Sequence, residues 1–199
     1  MYLIASLGNP SPEYDGTRHN LGRVAVERWL SQHDTQPINV QGFSGRAFHV
    51  APTKLQATSY KLQAIIVTPD LGTYMNESGP AIAVVISFYR IPAENLILVH
   101  DDTDLPLGTI RISKDSSAAG HHGVESIINT LGTKSFVRLR LGIESRENKA
   151  IPSTENFVLQ KFSKAEIPIM EKMLDRAVLT LNIIITDGSS QIITGHHYA

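Results

Sequence analysis

At 199 residues the chain has the length of one domain, residues 1–199, and can bury a core that needs no covalent staple. It has no cysteine, which excludes a disulfide framework, a thiolate metal site and a cysteine nucleophile, and which suits a reducing compartment. The formal net charge of −1 supplies no global field to recruit nucleic acid or an anionic membrane, so composition alone does not suggest RNA.

Taken in chain order, apolar runs of strand length alternate with helix-period patterns, which predicts an α/β layer fold. Residues 2–7 read as a buried strand. They lack a basic flank and are cut short by Gly8-Asn9-Pro10, so no signal peptide is expected. Leu21, Val24, Ala25 and Trp29 then recur at helical spacing, giving a helix to about residue 31. Residues 42–50 and 61–67 read as strands. Asn76 is a good N-cap for a mostly apolar helix to about residue 89.

Residues 96–99 form a short, continuously apolar run, as a central parallel strand does. A strand over 109–113 leads into the small, polar stretch 114–120. Val124, Ile127, Ile128 and Leu131 share one face of a helix over 121–131 that Gly132 closes. Residues 136–143 alternate Val137, Leu139 and Leu141 with Arg138 and Arg140, the pattern of a half-exposed strand. Ser163-Lys164-Ala165-Glu166 has capping-box spacing and opens the last long helix, with Gly188 as its stop. Pro168 conflicts with an unbroken start at Ser163 and requires either a separate first turn or a bend. No apolar stretch is long enough to span a bilayer, so a cytoplasmic protein without membrane association is expected.

Four segments concentrate Gly, Asn, His and Asp at the ends of these elements: Gly8-Asn9-Pro10 with Tyr14 and Thr17-Arg18-His19-Asn20; Thr73-Tyr74-Met75-Asn76; His100-Asp101-Asp102; and Gly120-His121-His122-Gly123. In an open α/β sheet, ligands sit beyond the carboxyl ends of the strands, where Gly8-Asn9 and His100-Asp101 fall. A neutral His19 can take a proton from water at cellular pH, given a partner that fixes its tautomer, and Asp101 is the candidate. Pattern alone favours the ordinary alternative, a loop or capping histidine.

Asp101, Asp102 and Asp104 with His100, His121 or His122 also read as metal ligands, although turn chemistry accounts better for Asp104. Asn9 and Asn76 can hold an amide or donate to an oxyanion; turn initiation and helix capping are their plainer uses. Residues 116–120 resemble a lid or phosphate loop but lack a Walker lysine and a dinucleotide fingerprint. Arg138 and Arg140 share a strand face and could bind phosphates, against the commoner reading of a solvated face. With Lys134, Arg146 and Lys149 they give a local basic excess over Glu144 and Glu147.

In this order the four segments resemble the bacterial-type peptidyl-tRNA hydrolases. The resemblance runs from Leu7-Gly8-Asn9-Pro10 through Thr17-Arg18-His19-Asn20-Leu21-Gly22 and Thr73-Tyr74-Met75-Asn76-Glu77-Ser78-Gly79. It continues through residues 100–108, Gly120-His121-His122-Gly123, residues 138–143 and Phe157-Val158-Leu159. It implies a phosphorylase/hydrolase-like domain with a mixed, largely parallel central sheet flanked by helices. It implies hydrolysis of the ester between a peptide and the 3′-terminal ribose of tRNA, recycling tRNA after aborted translation.

By the same resemblance His19 is the base, Asp101 stabilises its working form, and Asn9 discriminates N-blocked substrates. Tyr14, Tyr74, Asn76, His121, His122, Arg138 and Arg140 would contact peptide or tRNA. No metal, no other cofactor and no obligatory protein partner are implied, and the family expectation is a monomer. The sequence departs from the family at His122, where Asn is usual, at Ser113, where a basic residue is common, and at Glu144-Ser145-Arg146, where a Gly-Arg-Pro-like turn is frequent. These departures keep open a non-catalytic RNA-binding relative on the same fold, of the splicing-factor kind.

Overall fold

The computed structural model describes residues 1–10, 12–50, 65–147, 153–187 and 197–198. Its strands are β1 (Tyr2–Ser6), β2 (Thr35–Ile38), β3 (Arg46–Val50), β4 (Ile65–Asp70), β5 (Leu96–Pro106), β6 (Ile110–Ser113), β7 (Val137–Glu144) and the two-residue β8 (His197–Tyr198). The helices are α1 (Leu21–Leu30), α2 (Ser78–Tyr89), α3 (His122–Leu131), α4 (Thr154–Val158) and α5 (Ile167–Asp187). Among the described residues, all eight strands form one sheet in the order β2-β3-β4-β1-β5-β7-β6-β8. The central four, β4-β1-β5-β7, are parallel, and the pairs at both edges are antiparallel.

The period-2 alternation of β1 sends its side chains to two cores. Ile4 joins Ile97, Val99, Leu139 and Leu141 beneath α1 and α5, where Leu21, Ala25 and Trp29 meet Met173, Leu174 and Leu181. Leu3 and Ala5 join Ile66, Leu96 and Leu98 beneath α2 and α3, where Ile82 and Val85 meet Val124 and Ile127. The described residues therefore form three layers, α/β/α, in line with the α/β layer fold that the periodicities predict and with the helix-flanked sheet that the resemblance implies.

Several boundaries differ from the sequence reading. β2 escaped it because Thr35-Gln36-Pro37-Ile38 is short, largely exposed and contains a proline, which only an edge strand tolerates. The strand expected over 42–50 begins at Arg46, after a turn in which Gly42 adopts a φ of 81°. The strand expected over 61–67 continues to Asp70, while residues 61–64 lie outside the described residues. Pro69 is accommodated where the β3–β4 register shifts between Arg46/Asp70 and Phe48/Val67. Asn76 does not cap α2; it sits in a 3₁₀ turn (Met75–Glu77), and the helix starts at Ser78.

β5 does not stop at Val99. It runs through His100, Asp101 and Asp102 because β7 continues beside it, pairing Asp101 with Leu141 and Asp102 with Gly142. β7 is not half-exposed: the sheet extends past it to β6 and β8, and Arg138 is 2% exposed. The capping box forms a separate turn ahead of α5, with Ser163 N–H donating to Glu166 Oε2 at 2.7 Å. Pro168 then lies in the first turn of α5, where no intrahelical N–H is required. The expected stop at Gly188 lies outside the described residues.

One glycine sets the approach of α1 to β5. A Cβ on Gly22 would stand 2.4 Å from the Val99 carbonyl oxygen and 3.1 Å from the His100 Cα. Both neighbours are backbone, so Gly22→Ala forces the helix off the strand. The expected loss is about 1–3 kcal/mol, read as a lowered Tm; an unchanged melting curve would contradict this packing.

Candidate active site

The carboxyl ends of β1 and β5 and the N-terminus of α3 open onto a cavity of about 720 Å³. Asn9 stands just past β1, held by Asn20: Asn20 Oδ1 accepts from Asn9 N–H at 2.8 Å, and Asn20 Nδ2 donates to the Asn9 carbonyl at 3.1 Å. Asn9 Oδ1 accepts from Met75 N–H at 2.9 Å, which leaves its Nδ2 amide for the cavity. Asn20 belongs to a segment the sequence singled out, but nothing local marked it as the clamp on Asn9.

At the cavity floor, Asp101 holds two histidines. His19 Nδ1 lies 3.0 and 3.1 Å from its carboxylate oxygens, and His121 Nε2 lies 3.1 Å from Oδ1. An ionised carboxylate only accepts hydrogen bonds, so both nitrogens carry protons. His19 is thereby held with Nε2 free as a base. His121 is fixed from its other side too, since its Nδ1 accepts from Val124 N–H and caps α3.

Burial by itself would raise the Asp101 pKa, but attraction and hydrogen bonds from His19 and His121 overcome it and hold Asp101 well below the usual carboxylate range. Burial lowers the His19 pKa, yet the Asp101 charge and hydrogen bond outweigh it, and the net shift is upward. His100 is fully buried and donates from Nδ1 to the Asp101 carbonyl at 2.6 Å. Burial first, then repulsion from His121, keeps it neutral, with a pKa well below the ordinary histidine value. Its ring packs edge-on against His121 at 4.8 Å, walling the centre from behind.

Tyr74 and Asn76 are exposed on the cavity rim, and Met75 lines it from below. Tyr14 does not line the cavity; its ring meets Tyr74 edge-on at 6.4 Å and props it. His122 lies on the rim with its side chain 65% exposed, 4.0 Å from Glu125. The opposite wall is α4, through Thr154, Glu155 and Val158, followed by Leu159. Val158 and Leu159 belong to a segment that carries the family resemblance, but a single helical turn has no periodic signal to mark it as a wall.

The two arginines do not form the solvated basic face the alternation suggested. Arg138 is buried and donates to the Ser117 carbonyl at 2.8 Å and to Ser116 Oγ, tethering the loop beside the cavity. Arg140 is ion-paired with Asp102, and Arg146 pairs with Glu144 at 2.7 Å. Lys149 lies outside the described residues. The wider metal set also separates. Asp102 engages Arg140 and accepts from Asp104 N–H at 2.8 Å, so turn chemistry describes it well. Among the described residues, His19, Asp101 and His121 are the group whose donor atoms lie close enough, within 4.8 Å, to hold a metal ion. There the two histidines are already spanned by hydrogen bonds to the shared carboxylate.

A histidine with one nitrogen anchored to a buried carboxylate and the other facing a cleft at the strand ends has the geometry that general-base chemistry in an α/β enzyme requires. The chain belongs to the peptidyl-tRNA hydrolase family, whose profile matches residues 3–198. A peptidyl-tRNA hydrolase of Carboxydothermus hydrogenoformans is 36% identical over 194 residues, spanning 98% of this chain and 97% of that one. One from Pelodictyon phaeoclathratiforme is 40% identical, covering 87% and 86%. The crystal structure of peptidyl-tRNA hydrolase from Acinetobacter baumannii superposes with a TM-score of 0.80 at 28% identity, covering 97% and 92% of the two chains. No helix among the described residues is long and apolar enough to cross a membrane.

Proposed function

We propose that this chain hydrolyses the ester joining a peptide's C-terminus to the 3′-terminal ribose of tRNA, with His19 as general base. The observation that carries the reading is the His19–Asp101 pair at 3.0 Å, with the second imidazole nitrogen free toward the cavity. Water gives a proton to His19 Nε2 as its oxygen adds to the ester carbonyl. The tetrahedral intermediate then collapses, the carbonyl-carbon bond to the ribose oxygen breaks, and His19 returns the proton to that oxygen. Asp101 stabilises the imidazolium in between.

The Asn9 Nδ2 amide is the donor offered to the developing oxyanion or the peptide carbonyl, with Tyr74, Asn76 and His122 along the substrate's path. His121 keeps Asp101 ionised and oriented. Arg140, at the Asp102 edge of the cavity, is the arginine suited to meet tRNA phosphate; Arg138 acts by holding the Ser116–Ser117 loop. A free α-ammonium placed where the site reads an amide is left poorly paired, which disfavours free aminoacyl-tRNA. One domain over residues 1–199 carries this activity, without an obligatory protein partner, in the cytoplasm where its substrate arises. The non-catalytic RNA-binding reading is not favoured, because binding alone has no use for a hydrogen-bonded base and carboxylate.

The test is single-turnover cleavage of N-acetyl-aminoacyl-tRNA beside unblocked aminoacyl-tRNA, with EDTA present in a parallel arm. We expect cleavage of the blocked substrate in both arms, and Asn9→Ala should lower its rate by roughly 10²-fold. Retained tRNA binding without cleavage would favour the binding-only alternative.

A further inference from the structure

Arg18 directly precedes His19, and the reaction gives it no task. It is 4% exposed, an expensive place for a permanent charge. Its Nη2 donates to both carboxylate oxygens of Glu166, at 2.7 and 2.8 Å, and the guanidinium lies over the rings of Phe157 at 4.4 Å and Phe162 at 4.6 Å. Glu166 is fixed in turn by Ser163 N–H at 2.7 Å and by Ser145 Oγ at 2.5 Å. Burial opposes its charge, but the hydrogen bonds from Ser145, Ser163 and Arg18 prevail and lower its pKa to about 2. The carboxylate therefore stays ionised throughout the range in which His19 titrates.

The backbone repeats the attachment. Arg18 N–H donates to the Gln160 carbonyl at 2.9 Å, and Thr17 bridges to Lys161. The segment tied down here is the one whose start forms the α4 wall: Phe157, under the Arg18 guanidinium, directly precedes Val158 and Leu159 on the cavity. One side chain thus joins the turn that carries the base to the wall that faces it. Stability alone does not call for this device, since apolar replacements of buried ion pairs are often as stable. A charge-assisted contact to both Glu166 oxygens, with the guanidinium held over Phe157 and Phe162, adds a fixed distance and orientation.

We propose that Arg18 and Glu166 are positioning residues that set His19 and the α4 wall at their working separation. The proposal rests on His19 being the base. Misplacing a reacting group by about an ångström costs on the order of 10²-fold, so the effect belongs in kcat.

The experiment compares wild type, His19→Ala, Glu166→Gln, Arg18→Lys and the Glu166→Gln/Arg18→Lys double variant. Each is assayed on N-acetyl-aminoacyl-tRNA well below its Tm, with the His19 imidazole followed by NMR titration. Glu166→Gln should lower kcat roughly ten- to a hundredfold with KM within about threefold. Its His19 titration should move to lower pH as the Asp101 contact loosens. The double variant should lose little more than the worse single one, because the pair acts as a unit. A lowered Tm with unchanged kcat, a loss confined to KM, or fully additive losses would overturn the proposal. Arg18→Lys, which keeps the charge, supplies the kinetic split if Glu166→Gln does not fold. Failure of wild type to cleave would instead sink the assignment of the base.

Discussion

His19→Ala should reduce ester cleavage by roughly 10²–10⁴-fold in kcat while leaving affinity for tRNA within about twofold. The loss is expected because, among the described residues, no other imidazole is placed to replace it: His121 uses both ring nitrogens, one on Asp101 and one on Val124 N–H, His100 is buried behind it, and His122 stands exposed on the rim beside Glu125. Binding is spared because His19 lies at the floor, away from the rim at Tyr74, Asn76 and His122. The fold should also survive. Asp101 keeps the His121 hydrogen bond at 3.1 Å, so removal of His19 does not leave the buried carboxylate without a donor. Single-turnover kinetics with a filter-binding measurement of tRNA affinity separate the two effects, and near-normal turnover would exclude His19 as the base.

Asp101→Asn is expected to come next in size, with kcat lower by roughly 10²–10⁴-fold. An amide in that position can present an N–H to His19 Nδ1, which moves the imidazole proton to Nε2 and blocks the atom that must accept from water. The substitution also removes the charge that raises the His19 pKa against burial. The proposed base acts as neutral imidazole, so wild-type activity should fall with decreasing pH through a midpoint above the ordinary histidine value of 6.5. In Asp101→Asn the residual acid limb should shift to lower pH, because burial is then opposed by no carboxylate. A profile whose limb does not move would show that Asp101 leaves the His19 titration alone.

Much of the architecture is legible in the sequence. The helical spacing of Leu21, Ala25 and Trp29, the Gly132 stop of α3 and the apolar runs of β1 and β5 are local signals, and each predicted its element. The failures share a cause. The pattern ends β5 at Val99 and leaves β7 half-exposed because buried polar residues look like loop or surface in one dimension. His100, Asp101 and Arg138 are tolerated inside the sheet only because partners satisfy them. The short helix α4 and the edge strand β2 carry too few residues for periodicity to register.

What the sequence determined by itself was chemical identity and order: a cysteine-free α/β chain, four segments in a family-specific arrangement, and His19 as the foremost candidate base. Tertiary structure decided the rest. Asp101 is 82 residues from His19, and only the close packing of α1 on β5, permitted by Gly22, brings them to 3.0 Å. It added His121 to the same carboxylate, turned Arg138 inward, and linked Arg18 to Glu166 across 148 residues. Residue type and periodicity are properties of neighbours along the chain. Distance, burial and the resulting pKa shifts are properties of which distant segments the sheet brings together.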